Sequence, residues 1–328
     1  MVPTSCNPVV IRAGDTVTVD LSSATASTMT VNGTLSFSRT VSSTMTIVGG
    51  NVTVSAGGWL DMGSPSVPIS QSSATLILAY GATQGQFGLT INPGGNFTVK
   101  GSTKTPYTTA TGDALQSATI NVDMSSVVNW STGDVITVSF ARGVNSLVNE
   151  TETRVIAGIS GNTLSLGSYA GSNASLDYNH YSSWTIQVAN LSRNVVVRSS
   201  GTAVNANTAY IHNLATSATS FSLMYGEFAY LGADTGGRDG IYFDAASAKG
   251  FISSSTIRNG YVGVSLLNGS NGNTFSRNVL YANNYGFYLI NSSGNVITQN
   301  HVIATLFTAI SADAPAPFNT ISYNALLS

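Results

Sequence analysis

The chain has 328 residues, with 12 Lys or Arg against 14 Asp or Glu and a formal net charge of -2. These charges are scattered without basic clusters, so the counterion release that drives nucleic-acid binding has little to act on, which argues against a nucleic-acid partner. The single cysteine, Cys6, excludes an internal disulfide, and no apolar run approaches the roughly 20 residues that a membrane span needs.

From the N-terminus, nearly every segment has the pattern of a short strand followed by a Gly, Asn or Ser turn. Examples are VTVD, MTV, LSF, MTIV, LILAY, LTI and FTV. Thr and Val suit a pleated surface, whereas Asn and Gly accept the positive φ of tight turns. No amphipathic helix is predicted. Residues 1–112 are therefore predicted to form the N-terminal coils of an all-β repeat fold.

Residues 113–185 interrupt this rhythm. The runs DALQSATINVDMSSVVNWSTGDVITVS and ETETRVIAGISGNTLSLGS have the pattern of hairpins, with turn signals at Gly133-Asp134 and Gly161-Asn162. We expect this segment to form a small antiparallel β insertion that protrudes from the repeats.

Residues 186–328 carry the clearest period. Gly240, Gly263, Gly286 and Ala309 lie 23 residues apart, and each opens a strand. Alternate positions in these strands are apolar and are predicted to form the core: Ile241, Val264, Phe287 and Ile310, with Phe243, Leu266, Leu289 and Ala312. Short strands at this period predict a right-handed parallel β-helix, since parallel crossovers are right-handed. The competing leucine-rich repeat lacks its Leu-x-x-Leu-x-Leu frame.

A column of asparagines is predicted at one corner of these coils. The segments STIRN, NTFSRN, NVITQN and NTISYN end at Asn259, Asn278, Asn300 and Asn324. Stacked asparagines can hydrogen-bond along the stack and tolerate a left-handed bend. We expect all four to lie in one such stack.

Several motifs, in their order, resemble the domain named for its eight glycines. They are NPVVIRAGDTVTVD, MTVNGTLSF, VTVSAGGWLDMG, LTINPGGNFTVKGS, NWSTGDVITVS, ETETRVIAGISGNTLSL and VANLSRNVVVRS, and the resemblance covers roughly residues 7–290. This family includes polyductin-like receptors and hyaluronan-degrading cell-surface proteins. The resemblance implies a secreted or cell-surface protein that interacts with polysaccharide or with other surface molecules. Asn-x-Ser/Thr sequons, compatible with a glycoprotein, occur at Asn32, Asn51, Asn96, Asn129, Asn149, Asn173, Asn190, Asn268 and Asn291.

The stretch GGRDGIYFD and the later NNYGFYLIN match this family at Gly237, Arg238, Ile241, Phe243, Gly286 and Phe287. The chain departs from the family at Tyr242, Asp244 and Tyr285, where the family has histidines. Tyrosine, with a pKa near 10, neither titrates near neutral pH nor binds metal readily. The sequence therefore leans away from an enzyme whose activity rests on those histidines.

The parity of the repeats places an outward column of polar and aromatic side chains beside a charged loop. Aromatic faces can stack on sugar rings, and carboxylates and guanidinium groups can bind hydroxyls. The predicted ligand-binding residues are Asp234, Arg238, Asp239, Tyr242, Ser265, Tyr285 and Tyr288. The alternative is that the tyrosines merely fill a half-exposed sheet and Arg238 pairs with a neighbouring carboxylate.

Glu227 and Asp244 are the predicted catalytic pair, because Glu227 lies one coil earlier and hydrolysis of a polysaccharide needs two carboxyl groups. His180, His212 and His301 lack the spacing of metal ligands and are interpreted as structural. No cofactor and no metal site are predicted, although Asp234, Asp239 and Asp244 leave calcium as an alternative.

Three functions follow from these patterns. The first is an extracellular or cell-surface scaffold that binds a polysaccharide or another surface glycan. The second is a polysaccharide-degrading enzyme, a hyaluronidase-like hydrolase or lyase. The third is a filament-forming or adhesin module, because the last coil stops at Leu326-Leu327-Ser328 with only residues 314–318 as a cover. An uncovered coil exposes strand edges, so end-to-end self-association is expected there.

Overall fold

The computed structural model describes residues 3–81, 86–139, 150–204, 206–313 and 315–327. The sequon at Asn149, the start of the predicted cover at Ala314 and the terminal Ser328 lie outside these residues. Throughout the described chain every regular element is a strand and none is a helix. The all-β prediction is therefore confirmed.

The strands follow one another in short succession. The first coils contain β1 (Val9–Ile11), β2 (Thr16–Val19), β3 (Ala24–Ala26), β4 (Met29–Val31), β5 (Thr34–Phe37), β6 (Ser43–Ile47), β7 (Val52–Val54), β8 (Trp59–Met62), β9 (Ala74–Leu78), β10 (Gly88–Ile91) and β11 (Asn96–Lys100). The next segment contains β12 (Tyr107–Thr109), β13 (Thr119–Asn121), β14 (Val135–Val138), β15 (Glu152–Ser160), β16 (Thr163–Gly167) and β17 (Gln187–Asn190). The later coils contain β18 (Val195–Ser199), β19 (Tyr210–Asn213), β20 (Phe221–Met224), β21 (Gly226–Ala229), β22 (Gly240–Phe243), β23 (Phe251–Ser253), β24 (Thr256–Arg258), β25 (Val262–Leu266), β26 (Thr274–Ser276), β27 (Val279–Tyr281), β28 (Tyr285–Ile290), β29 (Val296–Thr298), β30 (His301–Ile303), β31 (Thr308–Asp313), β32 (Thr320–Ser322) and β33 (Ala325–Leu327).

The coils stack through three parallel sheets, each nine-stranded within the described residues. Sheet A has the order β1-β4-β7-β10-β19-β22-β25-β28-β31, sheet B the order β2-β5-β8-β11-β20-β23-β26-β29-β32, and sheet C the order β3-β6-β9-β18-β21-β24-β27-β30-β33. The chain visits sheets A, B and C in turn, so each coil lies on the one before it. Ile241 pairs with Val264 and Val264 with Phe287, as the 23-residue spacing predicts. The parallel β-helix is confirmed.

The recurring glycines of sheet A are required by the close approach of successive coils. A Cβ added at Gly240 would lie 1.8 Å from the carbonyl oxygen of Val262, and one at Gly286 would lie 2.3 Å from that of Ala309. At Gly263 the corresponding distance to the carbonyl of Gly286 would be 2.7 Å. Any side chain at these positions would push neighbouring coils apart, which explains the spacing in the sequence.

Aromatic rings run through the core from coil to coil. The rings of Phe221 and Phe243 lie 5.3 Å apart, those of Phe243 and Phe275 5.5 Å, and those of Phe275 and Phe287 5.8 Å, all in edge-to-face geometry. Such pairs add about 0.5–1.5 kcal/mol each to the effect of burial. The predicted core position Ala312 is exposed instead, because it lies on β31, the outermost strand of sheet A, and no described strand covers it.

Two asparagine ladders connect the C-terminal coils: Asn273, Asn295 and Asn319, and Asn278, Asn300 and Asn324. The Oδ1 of Asn300 accepts hydrogen bonds from both the backbone amide and Nδ2 of Asn278, each at 3.0 Å. The prediction that Asn259 joins this stack is wrong. Ser255 occupies that position and donates its amide to Asn278 at 3.0 Å, because β24 pairs with β27 rather than with β26.

Strands β12 to β17 form a six-stranded antiparallel sheet in the order β12-β17-β14-β15-β16-β13. This insertion leaves the coils between β11 and β18, and sheet C continues past it, with Ala74 paired to Val195. It contains residues 113–185, which the sequence set apart, together with β12 and β17 on either side.

The insertion has its own apolar cluster and, beside it, a buried ionic network. Arg154, only 2% exposed, donates to Glu152 at 2.5 Å and to Asp177 at 3.0 Å. Glu152 also lies 3.0 Å from Nε2 of the fully buried His180. Burial raises the pKa of Glu152, but the hydrogen bonds from His180 and from two backbone amides, with the charge of Arg154, outweigh it and lower the pKa.

The insertion rests on sheet C. The ring of Tyr107 on β12 stacks on His301 of β30 at 3.4 Å, and the Tyr107 hydroxyl donates to the carbonyl of Gln299 at 2.8 Å. The hydroxyls of Thr153 and Tyr281 are 2.6 Å apart. Insertion and coils are therefore joined by side-chain contacts outside either core.

Candidate functional site

A polar and aromatic column runs along the outer face of sheet A. Strand register places its members in neighbouring coils in the order Thr90, His212, Tyr242, Ser265, Tyr288 and Ser311. They alternate along each strand with core residues such as Ile241 and Phe243, so their side chains point away from the core. The outward parity of Tyr242, Ser265 and Tyr288 follows the prediction.

Burial corrects part of that prediction. Tyr242 is 4% exposed and Ser265 is 0% exposed, because the loop of residues 234–239 lies over them. Within this loop, Asp239 accepts a hydrogen bond from the Ser265 hydroxyl at 3.2 Å. Tyr242 and Ser265 therefore form a floor beneath the loop and do not present a surface to a ligand.

The loop forms one wall of an open cleft of about 290 Å³. The lining residues are Asp234, Thr235, Gly236, Gly237, Asp239, Tyr261, Val262, Leu267, Tyr285, Tyr288 and Ile290. Four of the predicted site residues, Asp234, Asp239, Tyr285 and Tyr288, thus meet in one place. The guanidinium of Arg238 instead lies over the ring of Tyr210, 5.8 Å from its centroid.

Three half-buried tyrosines give the cleft an aromatic wall. The ring of Tyr285 lies 5.8 Å from that of Tyr261, at an interplanar angle of 72°, and 6.0 Å from that of Tyr288, at 41°. Phe307, 58% exposed, extends the wall with its ring 5.1 Å from Tyr285. Because the rings are tilted against each other, the wall is concave.

Carboxylates are held against these rings. Burial, and then a hydrogen bond to Asp234, raise the pKa of Tyr261 to about 12. Burial and a hydrogen bond to Asp313 likewise raise the pKa of Tyr288. Asp239 is 9% exposed, and burial, with the nearby charges of Asp234 and Asp244, raises its pKa to about 6 against the bond from Ser265.

His212 and Asp244 form an ionic contact beside the loop. Nε2 of His212 lies 3.6 Å from the Asp244 carboxylate, and the imidazole stacks on Tyr242 at 4.3 Å. Burial lowers the pKa of His212, and the charge of Asp244 offsets this only in part. The second Asp244 oxygen accepts from Asn268 at 2.6 Å.

The structure does not bring the predicted catalytic pair together. Glu227 lies on β21 in sheet C, where it binds Arg258 at 2.6 Å, whereas Asp244 follows β22 in sheet A. Two residues one coil apart share a site only when they lie on the same face, and these lie on different ones. The carboxyl group nearest to Asp244 by its effect is Asp239, whose pKa it raises.

Three residues of the site were not predicted. Asp313 lies 23 residues after Ile290 and pairs with it in register, so the period alone could have indicated it. His212 pairs with Tyr242 across a longer coil of 30 residues, which hides it from the 23-residue rule. Tyr261 precedes its strand, and no strand pattern could have placed it.

Other features carry less chemistry. No group of three or more His, Cys, Asp or Glu side chains in the described part of the chain could hold a metal ion, which leaves the calcium alternative without a site there. The sequon asparagine Asn190 is fully buried and donates to Asp134 at 2.8 Å, so it is closed to glycosylation. An apolar cleft of about 340 Å³ lies at the first coil, around Ile11 and Val19. No helix among the described residues is long and apolar enough to cross a membrane.

Solved structures similar to this chain include three phage tailspikes. The tailspike gp49 of Pseudomonas phage LKA1 is 13% identical, with 94% of this chain and 40% of that chain covered and a TM-score of 0.24. The gp54 tailspike of Acinetobacter baumannii bacteriophage AP22, solved with a capsular saccharide, is 12% identical, with 89% and 64% covered and a TM-score of 0.23. The tailspike gp61 of Pseudomonas phage phi297 is 9% identical, with 85% and 43% covered and a TM-score of 0.24. The chain thus spans less than two thirds of each.

A search of curated proteins found no match. A family match does cover the first third of the chain. Residues 1–111 match the family model of the G8 domain, which confirms the resemblance to the eight-glycine family for this N-terminal part.

Proposed function

We propose that this protein is an extracellular or cell-surface scaffold that binds a polysaccharide in the cleft on sheet A. The observation that carries the proposal is the concave wall of Tyr261, Tyr285 and Tyr288 facing a loop that bears Asp234 and Asp239. Sugars present apolar C–H faces that pack on aromatic rings, and hydroxyls that donate to carboxylates.

The position of the cleft suits a polymer. It opens on the side of a rigid stack of coils, and its openness leaves both ends of a bound segment free to continue along the protein surface. The N-terminal G8 match and the low charge of the chain support an extracellular setting, which the resemblance implies.

Binding to an array of oligosaccharides, followed by calorimetry on the hits, tests the proposal. Tyr285→Ala should weaken binding about tenfold, because truncating a central aromatic contact typically costs more than 1 kcal/mol. Tyr181→Ala, which removes an exposed tyrosine of the insertion, is the matched control and should leave affinity unchanged. Equal affinities of the wild type and Tyr285→Ala for every hit would refute the cleft as the binding site.

Hydrolysis of the bound polymer is the second candidate, and one observation favours it. With a pKa of about 6, Asp239 stays protonated closer to neutral pH than an ordinary aspartate, as a general acid must. Asp244 is the neighbouring carboxylate that would serve as its partner. Release of reducing ends that disappears in Asp239→Asn and in Asp244→Asn would establish hydrolysis, whereas binding without turnover would leave the scaffold.

A further inference from the structure

The charge of the cleft is one-sided. Asp234 and Asp239 line it, and Asp313 bonds to the hydroxyl of Tyr288 on the opposite wall. None of its described lining residues is Lys or Arg, and Arg238 is turned toward Tyr210. An anionic sugar entering here would meet like charges in a partly desolvated space, which costs free energy.

The arrangement of the rings adds a second constraint. A flat platform suits a pyranose stacked on one ring face, but Tyr261, Tyr285 and Tyr288 are inclined to each other by 41° to 72°. Rings that surround a space from several sides direct their negative faces into it, which is how aromatic cages hold ammonium groups. The carboxylates of Asp234 and Asp239 lie on the side that the rings leave open.

Resting on the proposed function, we infer that the cleft selects a sugar with a free amino group, whose ammonium lies between the three tyrosine rings and the carboxylates of Asp234 and Asp239. Polymers of uronic acids and sulfated sugars are disfavoured at the same place. Asp239 is the central partner, because it is buried and held in place by Ser265, so it has lost solvent that a bound cation would replace.

Four tetrasaccharides of matched length distinguish the possibilities in one titration series on the full chain. They are a glucosamine oligomer, its N-acetylated form, a cello-oligosaccharide and a hyaluronan oligosaccharide, compared at about pH 6.5 where both Asp239 and the amines carry charge. We expect the glucosamine oligomer to bind at least about tenfold more tightly than its N-acetylated form, since desolvated cation–π contacts contribute on that scale. Hyaluronan should bind most weakly.

Variants separate recognition in the cleft from general attraction of a cation to an acidic protein. Asp239→Asn keeps the shape of the side chain and should abolish most of the preference for the free amine. Asp15→Asn makes the same change of charge at an exposed site in the first coil and should leave the preference intact.

The outcomes distinguish this inference from the proposed function. Equal or tighter binding of the neutral oligosaccharides, with loss of binding in Tyr285→Ala, would overturn the amine preference and keep the glycan site. Tightest binding of hyaluronan would also overturn it. A preference that survives Asp239→Asn or falls equally in Asp15→Asn would remove the cleft from the explanation, and failure of all four to bind would remove the proposed function as well.

Discussion

The C-terminal coils and the antiparallel insertion are stabilised in different ways. The coils repeat one contact many times: each asparagine of a ladder bonds to the next, and each phenylalanine ring meets another at 5.3 to 5.8 Å. The insertion instead depends on contacts that occur once, above all the network of Arg154, Glu152 and His180. Repetition spreads the cost of a defect, whereas a single buried network concentrates it.

The largest expected effect is therefore in the insertion. Arg154→Met leaves Glu152 buried without its cation, which should lower the free energy of unfolding by about 3–5 kcal/mol. Hydrogen exchange should show loss of protection in β15 and β16 while β25 and β28 remain protected. Arg12→Met, at an exposed arginine, is the control. Equal loss of protection in both regions would show that insertion and coils unfold as one unit.

A smaller loss is expected in a ladder. Asn300→Ala removes bonds to Asn278, Asn324 and the carbonyl of Phe275, and leaves buried polar groups unpaired. Denaturant unfolding should show a loss of about 2–4 kcal/mol. Asn284→Ala, outside both ladders, should stay within about 0.5 kcal/mol of the wild type. Similar losses in the two variants would mean that the ladder adds nothing beyond the backbone pairing of the coils.

The joint between the two regions should respond to acid. Burial lowers the pKa of His301 from 6.5 to about 4, so the unfolded chain binds a proton between these values that the folded chain does not. Stability at the joint is thus complete above about pH 6.5 and falls as the pH is lowered toward 4, by no more than about 3 kcal/mol. Exchange of the β12 amides at a series of pH values measures this loss.

His301→Phe keeps a ring against Tyr107 without a titrating group, so it should remove the pH dependence of β12 exchange in that window. If β12 lost protection equally in the variant, the acid response would belong to other groups, such as the Glu152 network. That network has a lowered pKa and therefore weakens only at lower pH, below the ordinary glutamate value of 4.5.

The sequence was most informative where the fold repeats. The 23-residue spacing gave the register of sheet A from Ile241 to Ile310 because each coil must place the same backbone atoms on its neighbour. It misplaced Asn259 for the same reason, since a coil of irregular length shifts one corner without changing the others. The site was predicted in part: Asp234, Asp239, Tyr285 and Tyr288 share the cleft, whereas Glu227 lies on another sheet.

By itself the sequence determined the β-helix, the core column and the outward direction of Tyr242, Ser265 and Tyr288, because periodicity alone fixes which side of a strand a residue faces. Only the tertiary structure decided which outward residues a ligand can reach. The loop of residues 234–239 folds over Tyr242 and Ser265, and irregular coils bring His212 to Asp244 and Tyr261 to Tyr285. Loops and coils of unequal length follow no period, so their contacts arise from packing and not from a pattern.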